Sequence, residues 1–97
     1  MMVLVAYDVC TLGRPGQTRL RRVAKVCKDY GQRVQNSVFE CDIDPAQWTA
    51  MKEKLSSIID PDTDSLRFYQ LGKNWQRRVE HIGAKPTLDL RNDPLII

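Results

Sequence analysis

The stretch Met2-Val3-Leu4-Val5-Ala6-Tyr7-Asp8 decides the fold. A short, continuous, Val-containing apolar run reads as a strand covered on both faces. It ends abruptly in a carboxylate. Asp8 therefore sits at the C-terminal end of a buried strand, where the loop from Val9 to Gly16 begins. That loop contains Thr11, Gly13, Arg14, Pro15 and Gly16. A rigid strand delivering one acid to a basic loop can place a metal ligand. The same acid can equally just end a strand and open a turn.

Working outward, Gln17 to about Tyr30 reads as a helix. Leu20, Val23, Ala24, Cys27 and Tyr30 form one apolar stripe, while Arg19, Arg21, Arg22, Lys25 and Lys28 lie off it. Gly31 is placed to end the helix in a left-handed cap. Arg33–Asp42 reads as a second extended segment, interrupted by the polar patch Gln35-Asn36-Ser37. That patch is either a bend or a polar contact surface. Asp44-Pro45-Ala46-Gln47 starts a helix, with Asp44 as N-cap and Gln47 completing a capping box. Trp48, Met51, Leu55 and Ile58 continue it at helical spacing, and Asp60-Pro61-Asp62 ends it.

Ser65–Leu71 is expected as a third strand, Gly72-Lys73-Asn74 as a turn, and Gln76–Ile82 as a fourth strand. Pro94-Leu95-Ile96-Ile97 is an apolar tail after a polar linker. The arrangement expected is an α+β, ferredoxin-like βαββαβ sandwich, with both helices on one face of an antiparallel sheet. Its first and third strands are central, which suits the apolar first strand. Residues 1–97 form a single domain, with 84–97 as linker and dimer-pairing tail. Leu95, Ile96 and Ile97 are too apolar to leave in water and are expected to add an extra strand to the sheet edge of a second copy.

The 97 residues leave no room for a second domain. The net charge is only +3, but it is segregated. Residues 11–33 and 67–91 are basic, and residues 38–66 are acidic. The two basic segments are expected to form an anion-binding surface. Cys10, Cys27 and Cys41 are odd in number and contain no Cys-x-x-Cys pair, so neither a disulfide framework nor a zinc site is indicated. Cys27 and Cys41 fall at apolar positions and read as core. The N-terminal run has no basic leader and meets Asp8 too soon for a signal peptide, and no stretch is long enough to span a membrane. A cytoplasmic location is expected.

Fold class alone does not choose a function. Arg67-Phe68-Tyr69-Gln70-Leu71 carries aromatics but not the signature of an RNA-recognition motif. A heavy-metal carrier needs paired cysteines in the first loop, where Cys10 stands alone. A small-molecule regulatory domain leaves the basic helix unexplained. A nucleic-acid-binding protein or nuclease accounts for both the basic segments and Asp8. His81, Trp48 and Trp75 read as structural residues rather than as an acid–base group or stacking platforms.

Several segments together resemble the CRISPR-associated protein two family, the small partner of the CRISPR integrase. They are Val3-Leu4-Val5-Ala6-Tyr7-Asp8-Val9, Arg19-Leu20-Arg21-Arg22-Val23-Ala24-Lys25-Val26-Cys27, Tyr30-Gly31, Gln35-Asn36-Ser37-Val38-Phe39-Glu40-Cys41, Ser65-Leu66-Arg67-Phe68-Tyr69 and Arg77-Arg78-Val79-Glu80-His81-Ile82-Gly83. The resemblance covers essentially the whole chain and is greatest to the type I-C branch. It implies a homodimer that takes part in acquiring new spacers, bridges integrase subunits and supports duplex DNA. It also implies metal-dependent endonuclease activity on DNA or single-stranded RNA, with the acid at the end of the first strand, Asp8, as catalytic metal ligand. Mg²⁺ or Mn²⁺ suits a carboxylate ligand. A twofold axis that brings two copies of Asp8 together supplies a second carboxylate. The residues expected to meet nucleic acid are Arg14, Arg19, Arg22, Lys25, Arg77 and Arg78. An architectural DNA-binding adaptor without catalysis is the rival reading.

Overall fold

The computed structural model describes residues 1–83. In chain order the elements are β1 (Met2–Asp8), α1 (Arg14–Tyr30), β2 (Gln32–Gln35), β3 (Val38–Asp42), α2 (Pro45–Ile58), β4 (Ser65–Gly72) and the short α3 (Trp75–Arg78). The four strands form one sheet in the order β2-β3-β1-β4, with every neighbouring pair antiparallel. This is the expected α+β, ferredoxin-like arrangement, and β1 is central in it. The linker and the tail, with Leu95, Ile96 and Ile97, lie outside the described residues.

Alternation along β1 assigns its two faces. Val3, Val5 and Tyr7 point into the core with Phe39 and Cys41 of β3. Val23 and Cys27 of α1 and Met51, Leu55 and Ile58 of α2 cover them. Trp48 meets Phe68 edge-on with ring centroids 4.9 Å apart, which seats α2 over β4. Leu4, Ala6 and Asp8 point the other way, beside Val38, Glu40, Arg67 and Tyr69 on neighbouring strands. Neither α1 nor α2 covers this second face.

Two boundaries differ from expectation. Arg33–Asp42 is a hairpin rather than one strand. Its turn falls at Asn36-Ser37, and the β2/β3 register shifts between Arg33 and Gln35. Apolar alternation continues across the turn, so pattern alone merges the two strands. Ser65–Gly72 is consequently the fourth strand and lies at a sheet edge, while Val38–Asp42 takes the central place beside β1. Gln76–Ile82 is not a strand. Trp75–Arg78 makes a single helical turn, and Ile82 is 94% exposed. Gln76-Arg77-Arg78 offers no apolar face for a sheet to bury, so the local turn wins.

The helix ends follow local chemistry. In α2 the Gln47 amide donates to Asp44 Oδ1 at 2.7 Å and the Asp44 amide donates to Gln47 Oε1 at 3.0 Å, completing the capping box. Gly31 does not adopt the expected left-handed cap. Its backbone is extended, and a side chain there would run into the Glu40 carbonyl and Cys41. Close approach of α1's end to β3, rather than backbone conformation, requires glycine there. No helix among the described residues is long and apolar enough to cross a membrane.

Candidate metal and nucleic-acid site

Asp8 is exposed at the C-terminal end of β1, opposite Ser65 of β4 on the face that α1 and α2 leave uncovered. What fixes the chain around it is a second acid, Asp64. The Asp64 side chain is fully buried. It accepts from the Cys10 amide at 3.0 Å, the Asp60 amide at 2.9 Å, Arg19 Nε at 2.8 Å and the Thr63 hydroxyl at 3.2 Å. One carboxylate thus ties the loop after Asp8 to α1 and to the α2–β4 connection. Burial would push the Asp64 carboxyl up, but the Arg19 guanidinium, the Asp60 and Cys10 amides and the Thr63 hydroxyl outweigh it and hold it at about 2.

Gly16 adds a close approach on the same loop. It is buried in the first turn of α1, and a side chain there would run into the Cys10 carbonyl. Gly13, at φ 83°, starts the helix in a conformation that other residues rarely adopt. The loop that leaves Asp8 is therefore held at Cys10 and again at Gly16. It is fixed rather than free.

Arg14 and Arg22 are exposed on α1. Lys25 is also exposed and sits 3.8 Å from Asp29, a surface pair of small energetic weight. Arg19 is different. Its guanidinium is engaged by Asp64, so a phosphate would have to compete for it. Arg77 is exposed on α3, and Arg78 Nη1 donates to the Leu71 carbonyl at 2.9 Å. Leu71 and Gly72 lie beside the start of β1, whereas Asp8 and α1's first turn lie at its other end. Six residue steps at strand rise separate the two ends by roughly 20 Å. Among the described residues of one chain, the two basic segments do not converge.

Among the described residues, no three side chains of the metal-ligating types cluster. Among the described residues, Asp8 is the acid on the uncovered face at this end of β1. Burial pushes the Cys27 thiol up to about 12 and the Cys41 thiol up to about 11, so neither supplies a thiolate. Two residues with distinct surroundings escaped the sequence reading. Asp64 is one, hidden among several acids of an apparently solvated segment. Arg33 is the other: it lies buried on β2, where its place in an alternating strand carries no signal of its surroundings.

Comparison with known proteins places this geometry in context. A family model described as "CRISPR associated protein Cas2" matches residues 1–79. A protein of Rhodospirillum rubrum named CRISPR-associated endoribonuclease Cas2 3 is 64% identical, with 99% of this chain and 100% of that protein aligned. A protein of Halalkalibacterium halodurans named CRISPR-associated endonuclease Cas2 is 59% identical, with 99% of each aligned. The crystal structure of Streptococcus pyogenes Cas2 at pH 6.5 superposes with a TM-score of 0.75 at 65% identity. It covers 86% of this chain and 100% of that one.

Proposed function

This chain belongs to the CRISPR-associated Cas2 family, and we propose from that premise that it is a metal-dependent phosphodiester hydrolase acting as a homodimer on nucleic acid. The observation that carries the reading is the placement of Asp8: an exposed carboxylate at the end of a central strand, on the uncovered face of the sheet. The relatives' names, endoribonuclease in one and endonuclease in the other, support nucleic-acid cleavage, with RNA specified in the first.

The donor set fits a hard cation. A site to which each chain brings one exposed carboxylate suits Mg²⁺ or Mn²⁺, which keep several waters and take one or two carboxylates, and no cluster among the described residues suits a four-ligand zinc site. Asp8 and its copy across a twofold axis would hold the ion. When bound, the ion supplies charge neutralisation for the phosphate and activation of water. The chain's own work is positional. β1 fixes where Asp8 stands, the Asp64 clamp holds the loop beyond it, and Arg14 and Arg22 attract and seat the phosphate backbone. Nothing in this arrangement reads base edges, so binding is indifferent to sequence.

The uncovered face supports a dimer. Leu4, Ala6 and Val38 on it are only half-buried and Tyr69 is exposed, so a second copy would bury them. The tail Leu95-Ile96-Ile97 pairs in this reading with an edge of the partner's sheet, and deleting residues 94–97 is expected to weaken the dimer. Sedimentation at low micromolar concentration checks it, and an unchanged dimer mass after deletion would rule the tail out. The dimer's place is in spacer acquisition beside the CRISPR integrase, in the cytoplasm.

The test of the enzymatic reading is direct. Purified protein is incubated with RNA and with duplex DNA, with Mg²⁺ or Mn²⁺ and with chelator. Cleavage that needs the metal is the expected result. Salt-sensitive binding of DNA with no cleavage under any condition would establish the architectural adaptor instead.

A further inference from the structure

Arg33 is buried on β2, 8% exposed, and its Nε has no hydrogen-bond partner among the described residues. An arginine keeps its charge at any ordinary pH, and a buried charge without a counterion is costly. The side chain is nonetheless well held. Its guanidinium lies over the Phe39 ring, 5.2 Å from the centroid, and the Tyr7 ring stacks with Phe39 at 6.2 Å between centroids. The Tyr7 hydroxyl in turn donates to the Asn36 carbonyl at 3.4 Å. The fold builds a seat for a cation, with the Tyr7 phenol beside the guanidinium, and leaves Nε without a hydrogen-bond partner among the described residues.

Arg33 also lines a groove of about 490 Å³ between α1 and the β2–β3 turn. Arg21, Lys25 and Lys28 of α1 form one wall, with Asn36 and Ser37 of the turn opposite. The nearby acid on α1, Asp29, pairs with Lys25 at the exposed rim and does not reach Arg33. Four cations against one peripheral acid leave the groove strongly positive. Its size is that of a small-ligand site rather than of a bare ion.

We propose that this groove is a phosphate-binding site, with Arg33 as its buried anchor, that takes a nucleotide's terminal phosphate. A planar guanidinium, two flexible ammonium groups and the amide and hydroxyl of the turn match a dianion with three terminal oxygens. An internal phosphodiester carries only one charge. The terminal phosphate can belong to a free nucleoside monophosphate or to the phosphorylated end of a nucleic-acid strand. The site is distinct from Asp8: Arg33 and Tyr7 face the helix side of the sheet and Asp8 faces the other. Its failure and that of the nuclease reading are therefore separable.

The experiment follows thermal unfolding and calorimetric binding at constant ionic strength. The probes are inorganic phosphate, adenosine monophosphate, and one short oligonucleotide with either a 5′-phosphate or a 5′-hydroxyl. Wild-type protein is expected to melt at higher temperature as phosphate or adenosine monophosphate rises, because ligand binds the native state alone. Arg33→Met is expected to melt no lower than wild type in phosphate-free buffer and to lose the ligand-dependent rise. The double exchange of Lys25→Gln and Lys28→Gln alters only exposed residues. It is expected to keep the fold and weaken binding by about tenfold. Preference for the phosphorylated oligonucleotide over adenosine monophosphate would assign strand ends, and equal affinity would assign free nucleotides. No rise with either ligand in wild type, or unchanged affinity in both variants, would overturn the proposal.

Discussion

Asp8→Asn is expected to fold and dimerise as wild type does, to keep its affinity for DNA in chelator, and to lose metal-dependent cleavage to background. Asn preserves the shape of the side chain and one of its oxygens but removes the charge that attracts a divalent ion. Asp8 is exposed, so the substitution asks nothing of the core, and the stability change is expected within about 0.5 kcal/mol. In the proposed reading, DNA affinity without metal comes from Arg14, Arg22 and other cations that the substitution does not touch. Cleavage assays run beside filter binding and thermal melts separate these effects. Equal cleavage by both proteins would place the chemistry elsewhere. Loss of folding together with cleavage would leave Asp8 a structural residue.

Asp64→Ala is expected to cost about 3 kcal/mol, because it strands the Cys10 and Asp60 amides and releases Arg19. For a domain of this size that is a fall in Tm of roughly 15 °C. Asp64→Asn, which can still accept from an amide, should cost less. Acid supplies an independent check. The Asp64 carboxyl is held at about 2, below its ordinary 3.8. A depressed folded value means that the carboxylate contributes its full stabilisation above about pH 4, and that this is lost as the pH falls through 4 toward 2. Wild-type stability should therefore drop across that window, and Asp64→Asn should drop less. Matching acid profiles in the two proteins would contradict the clamp.

How much of this was legible in the chain follows from distance along it. The run ending at Asp8, the stripe of Val23 and Cys27, and the Asp44–Gln47 capping box are local patterns, and the elements they mark are present. The hairpin at Asn36-Ser37 was not separable, because Val34, Val38 and Phe39 alternate as one strand would. The expected strand at Gln76–Ile82 rested on Val79 and Ile82 alone, too little apolar surface to hold a sheet edge. The Asp64 clamp joins residues 45 and 54 positions apart, which no local pattern reports. Arg19 looked like its neighbours Arg21 and Arg22 in a basic run, and only the fold distinguishes it by giving it a buried carboxylate. Arg33 is the converse case, a cation that the fold buries and whose Nε has no partner among the described residues.

In the proposed site, two copies of Asp8 share one divalent ion. Titrating Mn²⁺ into the metal-free protein and counting free and bound ion by electron paramagnetic resonance tests it most directly. One held ion per two chains is expected, abolished by Asp8→Asn. Undiminished Mn²⁺ binding in Asp8→Asn would contradict it.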